Sequence, residues 1–307
     1  MSVKKNFQQV KSKLQHRYFD WYVKDALYLT KVRRDRGLSK GLCTLTMLCK
    51  RDFFQYLVSI HSFTSLLNPE KVVVVNDGSL DDWHIKHLQE LIDDIIILDG
   101  TDFIDERIPT YTSWQRMLAI ESLVKDYFVI QLDADLLSKY DLDEVHQAYR
   151  SNYSFILGTE SENVSTLVEA QQTAVNRKQP HNGHVQHQSE LNLDALDKIG
   201  FTHYVRGCAG FAGYAKGSFS KDTLIQISNC MFSRIGDKWR EWGSEQTAAN
   251  MMISNMPGAK VLPLSYYGSV ARYTQDLKLI HFLGSWRFQG LLYNKLAKQY
   301  ISENLKK

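Results

Sequence analysis

Two carboxylates near the middle of the chain are spaced for joint work. Asp133 and Asp135 interrupt the apolar run Tyr127-Phe-Val-Ile-Gln-Leu-Asp-Ala-Asp-Leu-Leu137. In a strand, side chains i and i+2 point to the same side. The pair can therefore converge at a strand's carboxyl end, where two anions repel each other unless a cation sits between them. Mg²⁺ or Mn²⁺ suits such a place, taking one or two carboxylates together with substrate phosphates. The plain alternative is a strand that ends in a polar turn. A second group lies in Lys278-Leu-Ile-His-Phe-Leu-Gly-Ser-Trp-Arg-Phe288. His281 can ligate a divalent cation, Gly284 lets backbone approach a phosphate, and Arg287 can neutralise one. Arg116 lies in a helical stretch leading into the carboxylate strand, and can serve a pyrophosphate or brace the carboxylates. In Trp239-Arg-Glu-Trp-Gly-Ser-Glu-Gln-Thr-Ala-Ala-Asn-Met-Met252, Ser244 suits an N-cap and Glu245 the first helical turn. Glu245, Gln246 and Asn250 then fall within one and a half turns, as capping chemistry or as a polar cluster.

These residues need a scaffold, and the pattern supplies an α/β one. Leu42–Leu48 reads as the first core strand and Phe53–Leu67 as a helix ended by Asn68-Pro69. Lys71-Val-Val-Val-Val75 is a β-branched run suited to a parallel strand covered on both faces. It enters the turn Asn76-Asp-Gly-Ser79, at the strand end where open α/β sheets bind ligands. A helix over 81–92, a strand over 94–98, a helix over 111–126 and the carboxylate strand continue the alternation. The expectation is a doubly wound, mostly parallel sheet with helices on both faces. Residues 141–150 read as helix and 153–158 as strand, after which 160–195 dissolves into a polar loop. His181, His184 and His187 invite a metal reading there, but no helix aligns them and no carboxylate or cysteine stands at useful spacing. Gly207, Gly210 and Gly213 mark strand and turn backbone held close to a ligand. A helix over 221–233 follows, and Pro263 makes 261–264 an edge segment.

Composition excludes several classes. The 307 residues are 44% hydrophobic and 23% charged, ordinary values for a folded domain. No window is apolar enough for a transmembrane helix, and the first residues lack the apolar core of a signal peptide. Cys43, Cys49, Cys208 and Cys230 show no zinc spacing, so free thiols in a cytoplasmic protein are expected. Residues 1–40 carry 11 Lys/Arg against 3 Asp, so the basic character is local. That argues against nucleic-acid binding and leaves open a contact with an anionic membrane. The division expected is a basic helical extension over 1–40, with a helix over 5–35, a main domain over 41–290 and a basic helix over 291–307.

Arg116, Asp133-x-Asp135, Glu245-Gln246 and His281-x-x-Gly284-x-x-Arg287 follow one another in an order that resembles the GT-A nucleotide-sugar glycosyltransferases. The chain looks most like glycosyltransferase family 8, the glycogenin and lipopolysaccharide galactosyltransferase family, over roughly 42–290. The resemblance implies a Rossmann-like GT-A fold. It implies Mn²⁺ (or Mg²⁺) held by Asp133, Asp135 and His281 on the donor diphosphate, with Gly284 and Arg287 against that diphosphate. It places Arg116 near nucleotide and donor sugar, Thr46, Asp77 and Ala134 at the nucleotide, and Cys208 and Gly210 at the sugar. Glu245 and Gln246 stand at the reacting face. Departures are Arg287 for the family's lysine, Phe288 for a proline, Cys208 for an asparagine and Glu245 for an aspartate.

The implied reaction moves a hexose from a nucleotide-diphosphate sugar, a UDP-sugar first, to a hydroxyl of a glycan or lipid-linked acceptor, with retention. An inverting enzyme of the family 2 kind, with Glu245 as base, is the alternative, since Asn76-Asp-Gly-Ser79 resembles that family. A sugar nucleotidyltransferase ranks lower, because Leu48-Cys-Lys-Arg-Asp52 lacks the glycines such a loop needs. The expected location is the cytoplasm, with a peripheral contact at the inner face of a membrane through the basic terminal helices. The geometric expectation is sharp: 133, 135 and 281 must meet at one point.

Overall fold

The computed structural model describes residues 3–32, 37–177, 183–284 and 287–305. A seven-stranded sheet forms its centre. β1 (Ser39–Leu48), β2 (Pro69–Asn76), β3 (Ile96–Asp99) and β4 (Phe128–Leu132) are parallel neighbours in the order β4-β1-β2-β3. The intervening helices are α1 (Val3–Tyr22) before the sheet, then α2 (Phe53–Thr64), α3 (Asp82–Leu91) and α4 (Thr112–Val124). Val72, Val73, Val74 and Val75 are all buried, as a strand covered on both faces requires.

The chain past Leu132 leaves the sheet and returns. β5 (Leu136–Ser138) is followed by α5 (Asp143–Ser151), β6 (Phe155–Gly158), and the antiparallel pair of β7 (Ser165–Thr166) with β8 (His203–Tyr204). Between those two lie α6 (Leu167–Asn176) and α7 (Val185–Glu190). β9 (Gly207–Tyr214) re-enters the main sheet antiparallel to both β4 and β6. After α8 (Lys221–Ile235) and α9 (Ser244–Ile253), β10 (Lys260–Leu262) closes that edge beside β6. β11 (Tyr267–Ser269), β12 (Leu279–His281) and β5 make a second, three-stranded sheet, and α10 (Leu292–Asn304) ends the described chain.

Three local expectations change. The helix expected over 5–35 stops at Tyr22 and gives way to a 3₁₀ turn at Lys24–Tyr28. Tertiary pairing then takes over: Leu29 bridges Leu305 and Val32 bridges Ile92. The polar loop expected over 160–195 contains α6 and α7. α6 begins with a capping box between Thr166 and Glu169, and α7 buries Gln186, His187 and Glu190. Asp133 and Asp135 do not sit in one strand, because β4 ends at Leu132 and the chain turns before β5.

α1 packs on the main domain through its inner face. Phe19 meets Phe288 and Tyr293 at ring distances of 5.5 and 4.4 Å, and His16 meets Phe288 edge-on at 4.7 Å. Among the described residues, no helix is long and apolar enough to cross a membrane.

The sheet leaves no slack where β9 pairs with β6, Gly213 lying opposite Phe155. A Cβ on Gly213 would lie 2.2 Å from Phe155 Cε1. Gly213→Ala is therefore expected to destabilise the fold by about 1–3 kcal/mol through overpacking, read from urea unfolding. A melt identical to that of the parent would contradict this.

Candidate functional site

Asp133, Asp135 and His281 meet. One ligand atom from each lies within 4.8 Å of the other two. His281 Nε2 is 3.1 Å from Asp135 Oδ1 and 3.9 Å from Asp133 Oδ2. Backbone pairing brings this about across 146 positions. β12 runs antiparallel to β5 with His281 opposite Leu136, and the Phe282 amide donates to the Asp135 carbonyl at 2.9 Å. On the other side the Asp133 amide donates to the Gly210 carbonyl of β9 at 2.9 Å.

Gly210 explains how three side chains fit. A Cβ there would stand 2.2 Å from His281 Cε1 and 2.8 Å from Asp133 Oδ2. Only a hydrogen can occupy that position while the imidazole stays beside the carboxylates. Cys208 Sγ lies 3.5 Å from His281 Nδ1, which leaves Nε2 as the nitrogen turned toward both aspartates. Two carboxylates and one imidazole form a hard donor set suited to Mn²⁺ or Mg²⁺.

Two guanidinium groups bracket these carboxylates. Arg116 donates to Asp133 at 2.9 Å and reaches Glu245 at 3.9 Å. Arg287 pairs with Asp135 at 2.5 Å and with Asp52 at 3.3 Å, and its Nε donates to the Phe282 carbonyl. Burial works against ionisation of Asp135, yet Arg287 and then His281 outweigh it and hold its pKa at about 2. Burial would likewise depress His281, but the Asp135 carboxylate, followed by Cys208, pushes it well above the ordinary histidine value. The Asp135 carboxylate thus favours the protonated imidazole.

Glu245 and Gln246 begin α9, but Ser244 is not the N-cap expected. Gly243 takes that place with a left-handed backbone (φ 100°), where a Cβ would strike His184 at 2.5 Å. Tyr111 serves the helix end instead. Its hydroxyl accepts from the Gly243 and Glu245 amides at 3.2 and 3.3 Å and donates to Glu245 Oε2. The Ser244 hydroxyl accepts from Trp114 Nε1 at 2.9 Å. Glu245 Oε2 is thus held by Tyr111 and the Gly243 amide, while Oε1 faces Arg116 at 3.9 Å, too far for a hydrogen bond. Gln246 is half-buried, with a 3.5 Å contact to Gln186 of α7.

The remaining expected site residues scatter around this centre. Ala134 lies in the turn between the aspartates. Thr46 is buried in β1 and its hydroxyl donates to the Leu132 carbonyl at 2.5 Å. Asp77 follows β2 and accepts from the Ser79 amide and hydroxyl at 3.0 and 2.5 Å. Gly284 has φ 60° and open space where a Cβ would stand. His184 accepts from the Gln186 amide at the start of α7 and His187 is buried within it; among the described residues neither belongs to a group of three side chains that could hold a metal. His181 lies outside the described residues. Asp52 and Tyr111 were not singled out in the sequence. Asp52 follows the first strand on the ligand side of the sheet, the same positional argument that picked out Asp77.

No protein-family model matches the chain, and no curated protein sequence matches it. Solved structures do share its fold. The bifunctional glycosyltransferase WbbM superposes with a TM-score of 0.54 at 12% identity, over 88% of this chain and 51% of that one. This chain thus spans about half the length of WbbM. An active-site mutant of LgtC gives a TM-score of 0.51 at 10% identity, over 87% of this chain and 96% of that one. The fold is that of the GT-A glycosyltransferases, with a mostly parallel central sheet and helices around it.

A divalent ion held by Asp133, Asp135 and His281 would compete with a proton on His281 Nε2, so affinity should rise with pH. Mn²⁺ binding is expected to be accompanied by proton release. Calorimetry in two buffers of different ionisation enthalpy measures that release. Proton-neutral, pH-independent binding would show that the imidazole is not displaced.

Proposed function

We propose that this chain is a metal-dependent glycosyltransferase of the family 8 kind. It moves a hexose from a nucleotide-diphosphate sugar, a UDP-sugar first, to a glycan or lipid-linked hydroxyl with retention of configuration. The observation that carries this reading is the convergence of Asp133, Asp135 and His281. A divalent ion bound by those three would supply Lewis-acid stabilisation to a departing diphosphate.

The chain's own residues do the rest. Arg287 stands beside Asp135 and brings positive charge to where the leaving diphosphate gains negative charge. Arg116 ties Asp133 to Glu245 and so links the metal ligands to the start of α9. Retention is supported by the setting of Glu245, whose Oε2 is engaged by Tyr111 and the Gly243 amide. A general base needs a free oxygen for the acceptor proton, and Glu245 offers only Oε1, which stands beside the Arg116 cation. Gln246 is the less committed side chain and is assigned to the reacting face of the sugar. Gly284, with open space at its α-carbon, lets the backbone come close to phosphate oxygens.

The lipid-linked acceptor reading is supported by the outer face of α1. Leu14, Tyr18 and Trp21 recur at helical spacing and are exposed, as is Tyr28, with Lys11, Lys13, Arg17 and Lys24 exposed around them. Aromatic rings among basic side chains suit the headgroup region of an anionic bilayer.

A thermal-shift screen of UDP, GDP and TDP with and without Mn²⁺ tests the donor site; metal-dependent stabilisation by UDP is expected. No shift with any diphosphate would remove the donor-site reading. Asp135→Ala should lower transfer by at least ~100-fold, and proton NMR of the product anomer should show retention. An inverted product would return Glu245 to the role of base. Vesicles with anionic lipid should co-sediment the protein and neutral vesicles should not, with binding lost in Tyr18→Ser/Trp21→Ser. Equal behaviour of the two vesicle types would remove the membrane contact.

A further inference from the structure

Asp52 occupies the N-cap position of α2, yet its side chain caps nothing. Its carboxylate instead accepts from Arg51 Nε and Nη2, both at 3.1 Å, from Gln55 Nε2 at 3.1 Å, from Cys49 Sγ at 3.3 Å and from Arg287 Nη1 at 3.3 Å. An aspartate at that position ordinarily bonds to its own helix amides. Forgoing that bond leaves the carboxylate aimed at Arg287. Gln55 is itself buried and its amide also lies 3.5 Å from His16 of α1, so the receiving group is packed from both sides.

Arg287 meanwhile holds Asp135 Oδ2, while His281 Nε2 holds Oδ1. Neither oxygen of Asp135 is free for an incoming cation. We propose that Asp52 is a positioning residue that takes over Arg287 when a divalent cation claims Asp135. The proposal rests on the reading of Asp133, Asp135 and His281 as a cation site. Arg287 acts as a resident counter-ion: it neutralises Asp135 in the empty site and shifts its weight to Asp52 in the loaded one. The move is short, because Arg287 already touches both carboxylates. It keeps the guanidinium beside the site, where a diphosphate can take it up. It also makes bare cation binding weak, since each ion must first break a buried charge-assisted pair.

The test titrates the full chain, free of nucleotide, with Mn²⁺ alone, following bound ion by electron paramagnetic resonance. Arg287→Ala should bind Mn²⁺ roughly tenfold more tightly than the parent, because the competitor is gone. Asp52→Asn should bind it several-fold more weakly, because Arg287 then has no second carboxylate. The double variant decides the mechanism. If Asp52 acts through Arg287, the double variant matches Arg287→Ala. If Asp52 merely attracts the ion through space, it costs the same in both backgrounds, and the proposal is overturned. Unchanged or weaker binding in Arg287→Ala overturns it as well. Arg287→Gln replaces Arg287→Ala in every arm if the latter does not fold, with the same expectations. Absence of Mn²⁺ binding in the parent and in all variants removes the cation site itself, a different result from loss of the Asp52 effect alone.

Discussion

Everything at the site depends on one backbone contact. β12 pairs antiparallel with β5, the Phe282 amide bonds to the Asp135 carbonyl, and His281 is thereby set beside two aspartates from a distant part of the sequence. A side chain alone could not hold that position. Ordering a long connection costs entropy that must be recovered from fixed contacts. The small sheet of β11, β12 and β5 supplies them with a ladder rather than a single bond. β9 does the same from the opposite side, through the Asp133 amide and the missing side chain of Gly210.

The second constraint is electrostatic. Two carboxylates so close, one of them almost wholly buried, would not both ionise without compensation. The structure answers with paired assignments. Arg116 serves Asp133 and Glu245, and Arg287 serves Asp135 and Asp52. Each arginine therefore links one of the two clustered aspartates to a carboxylate outside the cluster. Removing one partner from such a buried pair costs about 3–5 kcal/mol. The pairs are thus both a source of order and an obstacle that a ligand must overcome.

Much of this was legible from residue types. The Val72–Val75 run announced a strand covered on both faces, and the two aspartates with a distant His-x-x-Gly-x-x-Arg announced that Asp133, Asp135 and His281 meet. What escaped was set by tertiary contact. Nothing between Tyr22 and Val32 signals a helix end, and only pairing with Ile92 and Leu305 makes one. α6 and α7 were hidden by polar composition. Glu190 is 1% exposed because Arg177, Arg206 and Tyr204 meet it, and no periodicity of apolar residues records such a network. The α9 start was misread because the hydroxyl at its end comes from Tyr111, more than 130 positions away, and not from the adjacent Ser244.

The packing of α1 has a consequence for the order in which the molecule can be made. Leu29 bridges Leu305, the Thr30 amide bonds to the Asn304 carbonyl, and Phe19 stacks near Tyr293. The segment from Phe19 to Thr30 therefore has its resting place among residues synthesised much later. During translation it must wait, apolar face uncovered, while the central sheet assembles without it. Contacts this remote in sequence form late and slowly. His281 and Arg287 likewise follow Asp133 and Asp135 by a long stretch of sequence, so the cluster of these side chains and the seat of the first helix are completed together.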